Sequence, residues 1–326
     1  MTNGKAKCFG YNLYGQCGQN GAFATQRSIY KHFELGNNLP FIALDNKGLV
    51  LVSQVFAGGY STCAITYTGT TVQATGKVKC WGDSYDFALG VLNATEYVGA
   101  LPGQMGDALP YVNLGTALLA KSLALTWDVT CALLSSGKVK CWGRNHEGEL
   151  GQGSTFGYTG TASDRFAMGD ALPYVNLGSG VLVSRIAGGF DDFCILASAP
   201  TTHVGGVKCW GYGYYSQLGQ INSGLDVGVA PNQMGDFLPW VPLGTVSGGK
   251  TKSPSKAVGR ALADGEVDEK VRAQKQTRRA LAEQARQERR KLYEERRVAA
   301  SRDALEDREQ ADTTASAMRG FEAAEQ

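Results

Sequence analysis

With 326 residues, 43% of them apolar, the chain can hold one large domain or two smaller ones around a sizeable core. A formal net charge of +2 hides an uneven distribution: residues 1–259 carry 17 Lys/Arg and 15 Asp/Glu, and residues 260–326 carry the other 15 of each, which marks a boundary near residue 250. No apolar run approaches the ~18 residues of a transmembrane helix, and the N-terminus MTNGKAKCFG lacks an apolar h-region, so neither a membrane span nor a signal or transit peptide is expected.

In chain order, one stretch recurs. It reads KAKCFG from Lys5, KVKCWG from Lys77, KVKCWG again from Lys138 and GVKCWG from Gly206. Alternating apolar positions, an aromatic and a closing glycine predict a short half-buried strand entering a tight turn. Aligned on the cysteine, the rows are CFGYNLYGQCG from Cys8, CWGDSYDFALG from Cys80, CWGRNHEGELG from Cys141 and CWGYGYYSQLG from Cys209. They share Cys, aromatic, Gly and a later Leu-Gly, with Cys17 in place of Leu in the first row. A second element follows each row: LGNNLPFIAL from Leu35, MGDALPYVNLG from Met105 and again from Met168, and MGDFLPWVPLG from Met234. A third precedes the last three rows: VFAGGYSTCAI from Val55, SLALTWDVTCALL from Ser122 and RIAGGFDDFCIL from Arg185. Each is expected to be an apolar strand ending in Cys. The 43 glycines then signal frequent turns between short strands. A period of about 65 residues built this way suggests propeller blades.

The GKVKCWG…GxLG pattern, with AGG…CAL upstream, resembles the repeats of the regulator of chromosome condensation family over roughly residues 4–244. The resemblance implies a β-propeller, usually of seven blades. It specifies fold rather than function, because that fold serves exchange factors, inhibitors, lectin-like binders and scaffolds alike. The chain departs from the family in having three complete repeats, about 55–115, 120–178 and 183–244, after a half repeat that lacks the AGG…CAL strand. After Leu243 the sequence GTVSGGKTKSPSKAV supplies no strand pattern that would close a ring. An open arc docked on a neighbour, an atypical small propeller, and a homodimer that completes a seven-fold ring are the alternatives.

Residues 245–259 read as a Gly/Ser/Lys linker. Residues 260–311, free of Pro and rich in Ala, Glu, Arg, Lys, Gln and Leu, predict a long charged α-helix, and 312–326 a disordered tail. About 45 helical residues would span roughly 65–70 Å. A heptad seam from Val267 to Ala299 is apolar at only about half its positions, which disfavours a self-associating coiled coil. The fold class expected is therefore all-β: a β-propeller-like repeat domain, incomplete in this chain, followed by a long charged C-terminal helix.

The candidate chemistry is sparse. Residues 244–251, GTVSGGKT, match the phosphate-cradling pattern, but Gly244 belongs to the repeat and Pro254 follows closely, so a linker is the better reading and no cofactor is expected. Of the eight cysteines, Cys80, Cys141 and Cys209 lie in the recurring strand and Cys63, Cys131 and Cys194 in the strand before it. The pairs 63–80, 131–141 and 194–209 are either blade-internal disulfides in an oxidising compartment or buried thiols. No CxxC or His-Cys cluster occurs, so no metal site is expected. His32, His146 and His203 occupy unrelated positions, and no nucleophilic triad is expected. The repeated Asp107, Asp170 and Asp236 suggest turn residues bonding local backbone N–H groups, and Trp81, Trp142 and Trp210 suggest packing. Asn93-Ala94-Thr95 is a glycosylation sequon that matters only in a secreted protein.

The leading functional signal is a basic segment. Residues 270–302 hold 12 Lys/Arg against 4 Glu, and Arg278, Arg279, Arg286, Arg289, Arg290, Lys291, Arg296 and Arg297 are the candidates to meet a protein partner or RNA. The expectation is a non-enzymatic scaffold or accessory subunit that docks with other protein subunits in a larger intracellular or organellar complex through the repeat face and the helix. An RNA-associated role for the helix and nucleotide exchange on a small GTPase are the alternatives.

Overall fold

The computed structural model describes residues 4–12, 14–19, 28–29, 35–91, 97–155, 168–198, 205–220 and 225–243. The chain divides after Gly244, and the expected linker, helix and tail all lie outside the described residues. Within those residues the protein is all-β, a β-propeller-like series of antiparallel sheets. No helix among them is long and apolar enough to cross a membrane.

The first sheet has two short strands, β1 (Gly10–Tyr11) and β2 (Ser28–Ile29). The second runs β3 (Val50–Ala57), β4 (Ser61–Thr68), β5 (Lys77–Asp83) and β6 (Tyr97–Val98). The third is β7 (Ala120–Leu125), β8 (Val129–Leu134) and β9 (Val139–Gly143), and the fourth is β10 (Leu182–Gly188), β11 (Asp192–Ser198) and β12 (Gly205–Gly211). Each of the last three is a meander in chain order. Each carries a bulge at the same place in its first strand, at Val52/Gln54, Ala120/Ser122 and Val183/Arg185, which bends that strand.

Two expectations are corrected. The AGG…C element is a hairpin rather than one strand: Gly58 N donates to Ser61 O at 2.8 Å, so the glycines form the tip between β3 and β4. Thr126 closes on Val129 and Gly189 on Asp192 in the same way, at 2.9 and 2.8 Å. The KVKCWG strand is also not half-buried. In β9 every residue is buried, and in β5 only the two ends are not. Neighbouring sheets cover both faces of the blade, so Lys79 and Lys140 are buried, while Lys77 and Lys138 at the start of the run stay exposed.

The LPxV segments form no ladder of their own, yet each lies against the recurring strand through one backbone bond. Ile42, Val112, Val175 and Val241 donate to Ala6, Val78, Val139 and Val207 at 2.9, 2.8, 2.8 and 2.7 Å. Successive sheets are joined by Val52 N to Gly4 O at 2.7 Å, by the bridge between Gly76 and Ala120, and by Val183 N to Gly137 O at 3.2 Å. Apolar clusters fill the space between sheets, with Trp81, Leu123 and Trp142 in one and Val139, Phe193 and Trp210 in the next.

Candidate functional site

Every junction between successive rows repeats one set of contacts. Lys140, buried in β9, donates to Leu114 O at the end of the preceding row and to Gly169 O of its own row, both at 2.8 Å. Lys208 does the same with Leu177 O at 2.6 Å and Gly235 O at 3.2 Å, and Lys79 with Leu44 O and Gly106 O. An aromatic from the LPxV segment covers each ammonium: Tyr111, Tyr174 and Trp240 lie 4.8, 4.9 and 4.9 Å from Lys79, Lys140 and Lys208. Burial pushes all three lysines below their ordinary range, opposed by Asp107, Asp170 and Asp236. Two carbonyl acceptors and a ring face hold the charge that burial alone would expel.

Those aspartates correct a third expectation. They do not serve local turns. Asp170 accepts from Thr116 N at 2.8 Å and Thr116 Oγ1 at 2.7 Å, and Asp236 from Ser179 N at 2.7 Å and Ser179 Oγ at 2.8 Å. Asp107 accepts from Asn46 N at 3.2 Å. Each carboxylate therefore clips the end of the preceding row, because its turn sits on the junction that the lysine spans. The Thr116 bonds hold Asp170 below the ordinary carboxylate range, and the Ser179 bonds do the same for Asp236. A Cβ on Gly115 would lie 2.7 Å from Asp170 Oδ1, and Gly115 has φ +118°, so the glycine of NLG is fixed by this contact.

The tryptophans add the third tie. Trp81, Trp142 and Trp210 are fully buried, and their indole N–H groups donate across the junction to Gln16 O, Ala88 O and Glu149 O at 3.0, 3.0 and 2.9 Å. Packing was the sequence reading; the hydrogen bond gives the column its preference for Trp over Phe.

The hairpin tips carry a different arrangement. Trp127 and Phe190 stand at the same tip position in successive sheets and Tyr60 one residue further along the preceding tip, with ring centroids 4.9 Å apart for Tyr60 and Trp127 and 5.3 Å for Trp127 and Phe190. Tyr14 extends the row at 4.8 Å from Tyr60. The tips are also tied by backbone: Gly59 N donates to Thr126 O at 3.1 Å, and Trp127 N to Phe190 O at 3.2 Å. Phe190 remains 55% exposed and Trp127 36%. The row is buried at Tyr14, half-buried at Tyr60 and exposed at Trp127 and Phe190, so its exposed end spans two neighbouring tips.

Behind the tips lies a charged cluster. Arg144 Nη2 contacts Glu147, Glu149 and Asp191 at 3.0, 3.0 and 2.8 Å. Arg144, Glu149 and Asp191 are all buried. Burial works against the charge of Arg144, yet the carboxylates around it, Glu149 first, hold its pKa above the ordinary value. Burial pushes Asp191 up to about 7 and raises Glu149 well above its usual range, each opposed by Arg144; Asp128 moves the same way for the same reason. One cation facing several carboxylates favours keeping protons among them. The cluster links the loop after β9 to the tip before β11. No nucleophile accompanies it among the residues in contact, and no group of metal-ligating side chains occurs among the described residues.

The cysteines face each other across strands: Cys63 is bonded to Cys80, Cys131 to Cys141 and Cys194 to Cys209, each pair with Cα atoms 4.1 Å apart. The basic candidates Arg278, Arg279, Arg286, Arg289, Arg290, Lys291, Arg296 and Arg297 lie outside the described residues, as do His32, His203, Asn93 and residues 244–251. The buried lysines, the tip aromatics and the Arg144 cluster were missed by sequence reasoning. The signal for the first was present, since the residue before the cysteine is Lys in all four rows.

Residues 120–149 match the regulator of chromosome condensation (RCC1) repeat. That segment covers β7 to β9 and the loop into Glu149, and the other rows share its columns, so the chain carries repeats of this kind. No curated protein matches the chain. Among solved structures, human WBSCR16 matches with a TM-score of 0.46 and 21% identity, over 68% of this chain and 47% of that one. Prp20p from Saccharomyces cerevisiae, in a structure reported with its binding properties to Gsp1p and histones, matches with a TM-score of 0.43 and 19% identity, over 65% and 42%. Yeast RCC1 (Prp20) bound to Kap60 matches with a TM-score of 0.43 and 17% identity, over 69% and 44%. The chain spans less than half the length of each of these proteins.

Proposed function

We propose that this chain is a non-enzymatic interaction subunit that docks with other proteins through the aromatic row on its hairpin tips. The observation that carries this reading is the aromatic row of half-buried Tyr60 and exposed Trp127 and Phe190, contributed by the hairpin tips of three successive sheets. Large, stiff aromatic side chains are the groups that most often anchor protein interfaces. The Arg144 cluster and the tip-to-tip backbone bonds hold the surface in shape before a partner arrives, which lowers the ordering cost of binding. In this reading the basic segment 270–302 is a second contact, assigned from its charge excess.

The test compares affinity capture of the tagged full chain with a Trp127→Ala, Phe190→Ala variant, with and without nuclease. Both substituted side chains are partly exposed, so the fold should survive, and circular dichroism checks that it does. A defined set of proteins, lost in the variant and resistant to nuclease, is the expected result. Capture that is unchanged in the variant sinks the proposal. Capture that collapses on nuclease treatment replaces it with an RNA-associated role, for which charge reversal at Arg289, Arg290 and Lys291 is the next experiment.

A further inference from the structure

In the second, third and fourth rows a hairpin brings a cysteine opposite the strand cysteine. Cys8 stands in the same column as Cys80, Cys141 and Cys209 but has no such neighbour. Nine residues on, the other rows place Leu89, Leu150 and Leu218, all buried, where the first row alone has Cys17. The structure holds Cys17 in the loop geometry of those leucines: Cys17 N donates to Asn12 Oδ1 at 2.8 Å, as Leu150 N donates to Asn145 Oδ1 at 3.1 Å. The Sγ atoms of Cys8 and Cys17 lie 2.7 Å apart, well inside van der Waals contact. The first row alone thus carries a cysteine at this buried position, and it reaches Cys8.

We infer that Cys8 and Cys17 form a fourth intrachain disulfide, which staples the first row. The two thiols lose two electrons and two protons to a small-molecule or protein disulfide. The Cys8 thiolate attacks one sulfur of that disulfide and releases a thiol; Cys17 then attacks the mixed disulfide at Cys8 and releases the second. The Cys17 S–H bond holds the Cys8 thiol below its ordinary range against the effect of burial, which suits Cys8 to the first attack. The bond closes the loop that presents Gln16 O, the acceptor for both Trp81 Nε1 and Thr62 Oγ1. Oxidation therefore fixes the junction between the first row and the β3–β6 sheet. Cys8 is only half-buried whereas Cys63, Cys80, Cys131 and Cys141 have no exposed surface, so this bond is the one a mild reductant opens first.

The test is a thiol map of the full chain. Protein equilibrated with excess oxidised glutathione is denatured in iodoacetamide without reductant, digested and analysed by mass spectrometry. Peptides joined through Cys8 and Cys17 are expected; an alkylated or glutathione-bearing Cys8 or Cys17 in the wild type overturns the inference. Cys17→Leu restores the residue of the other rows and should fold, leaving Cys8 alone open to modification. On stepwise addition of dithiothreitol, amide exchange over residues 12–18 should quicken by about tenfold as the Cys8–Cys17 peptides disappear and before Cys63–Cys80 opens. Exchange in Cys17→Leu should not respond over that range. A loop whose exchange ignores the state of the bond would show that it does not hold the junction.

Discussion

In the second, third and fourth rows the residue after the strand cysteine is a fully buried tryptophan, whereas in the first row it is Phe9, 68% exposed. The lysine before the cysteine shows the same contrast. Lys140 bridges two carbonyls from two rows, while Lys7 keeps the contacts of its own row, Gly36 O at 2.6 Å and the Phe41 ring at 4.8 Å. What occupies a column is thus set by the neighbour across the junction, not by the strand that carries it. In the first row Lys7 is half-buried and Phe9 exposed, where the later rows bury both columns.

The sharpest way to break this comparison is to remove the lysine at both places. Lys140→Met keeps the stem but leaves Leu114 O and Gly169 O buried without their donor, and urea unfolding should show a loss of about 3–5 kcal/mol. Lys7→Met should cost under about 1 kcal/mol, and similar losses at the two sites would sink the junction argument. Next in size is the disulfide of the third row. Replacing Cys131 and Cys141 together by alanine opens a loop with a sequence separation of 10 and should cost about 3 kcal/mol by the same measurement. Trp142→Phe keeps most of the apolar volume but orphans Ala88 O, for an expected loss of about 2 kcal/mol. Phe9→Ala, at the equivalent but exposed site, should stay within about 0.5 kcal/mol.

The smallest expected effect separates the third junction from the others by pH. A carboxyl whose folded pKa lies above its unfolded one binds its proton more tightly in the native state. For Asp191, pushed up to about 7, stability is then present at low pH, is lost as pH rises from about 4 to 7, and levels off above. The melting temperature should be a few degrees higher at pH 5 than at pH 8, and Asp191→Asn, which mimics the protonated form, should reduce that difference. A melting temperature that rises over the same range would contradict the assignment.

The all-β fold was legible because its signals are local: each recurring KCWG run closes on a glycine with positive φ, Gly82, Gly143 and Gly211, and the aromatic and Leu-Gly columns recur with the blade. The hairpin was less so, since Gly58-Gly59 between apolar runs reads as readily as an irregular strand as a tip. The junctions were harder still. Lysine in a strand predicts a solvent face, and Lys79, Lys140 and Lys208 are buried only because the Leu and Gly carbonyls of two rows and an aromatic ring converge on them. Asp170 reads as a turn residue because the turn is visible in the sequence and Thr116 is remote. The Arg144 cluster draws on a loop in one row and a tip in the next, a proximity that no spacing rule encodes.

The acceptors of each lysine have a consequence for how such a chain can change length. Leu114-Gly115-Thr116 and Leu177-Gly178-Ser179 offer the same carbonyl and the same hydroxyl-bearing clip residue to whichever row comes next. A chain in which Gly115 is spliced directly to Ser179 would still hand Lys208 a leucine carbonyl and Asp236 a serine. Rows are therefore interchangeable at the lysine and aspartate contacts of these seams, while the Arg144 contact to Asp191 is particular to the third junction.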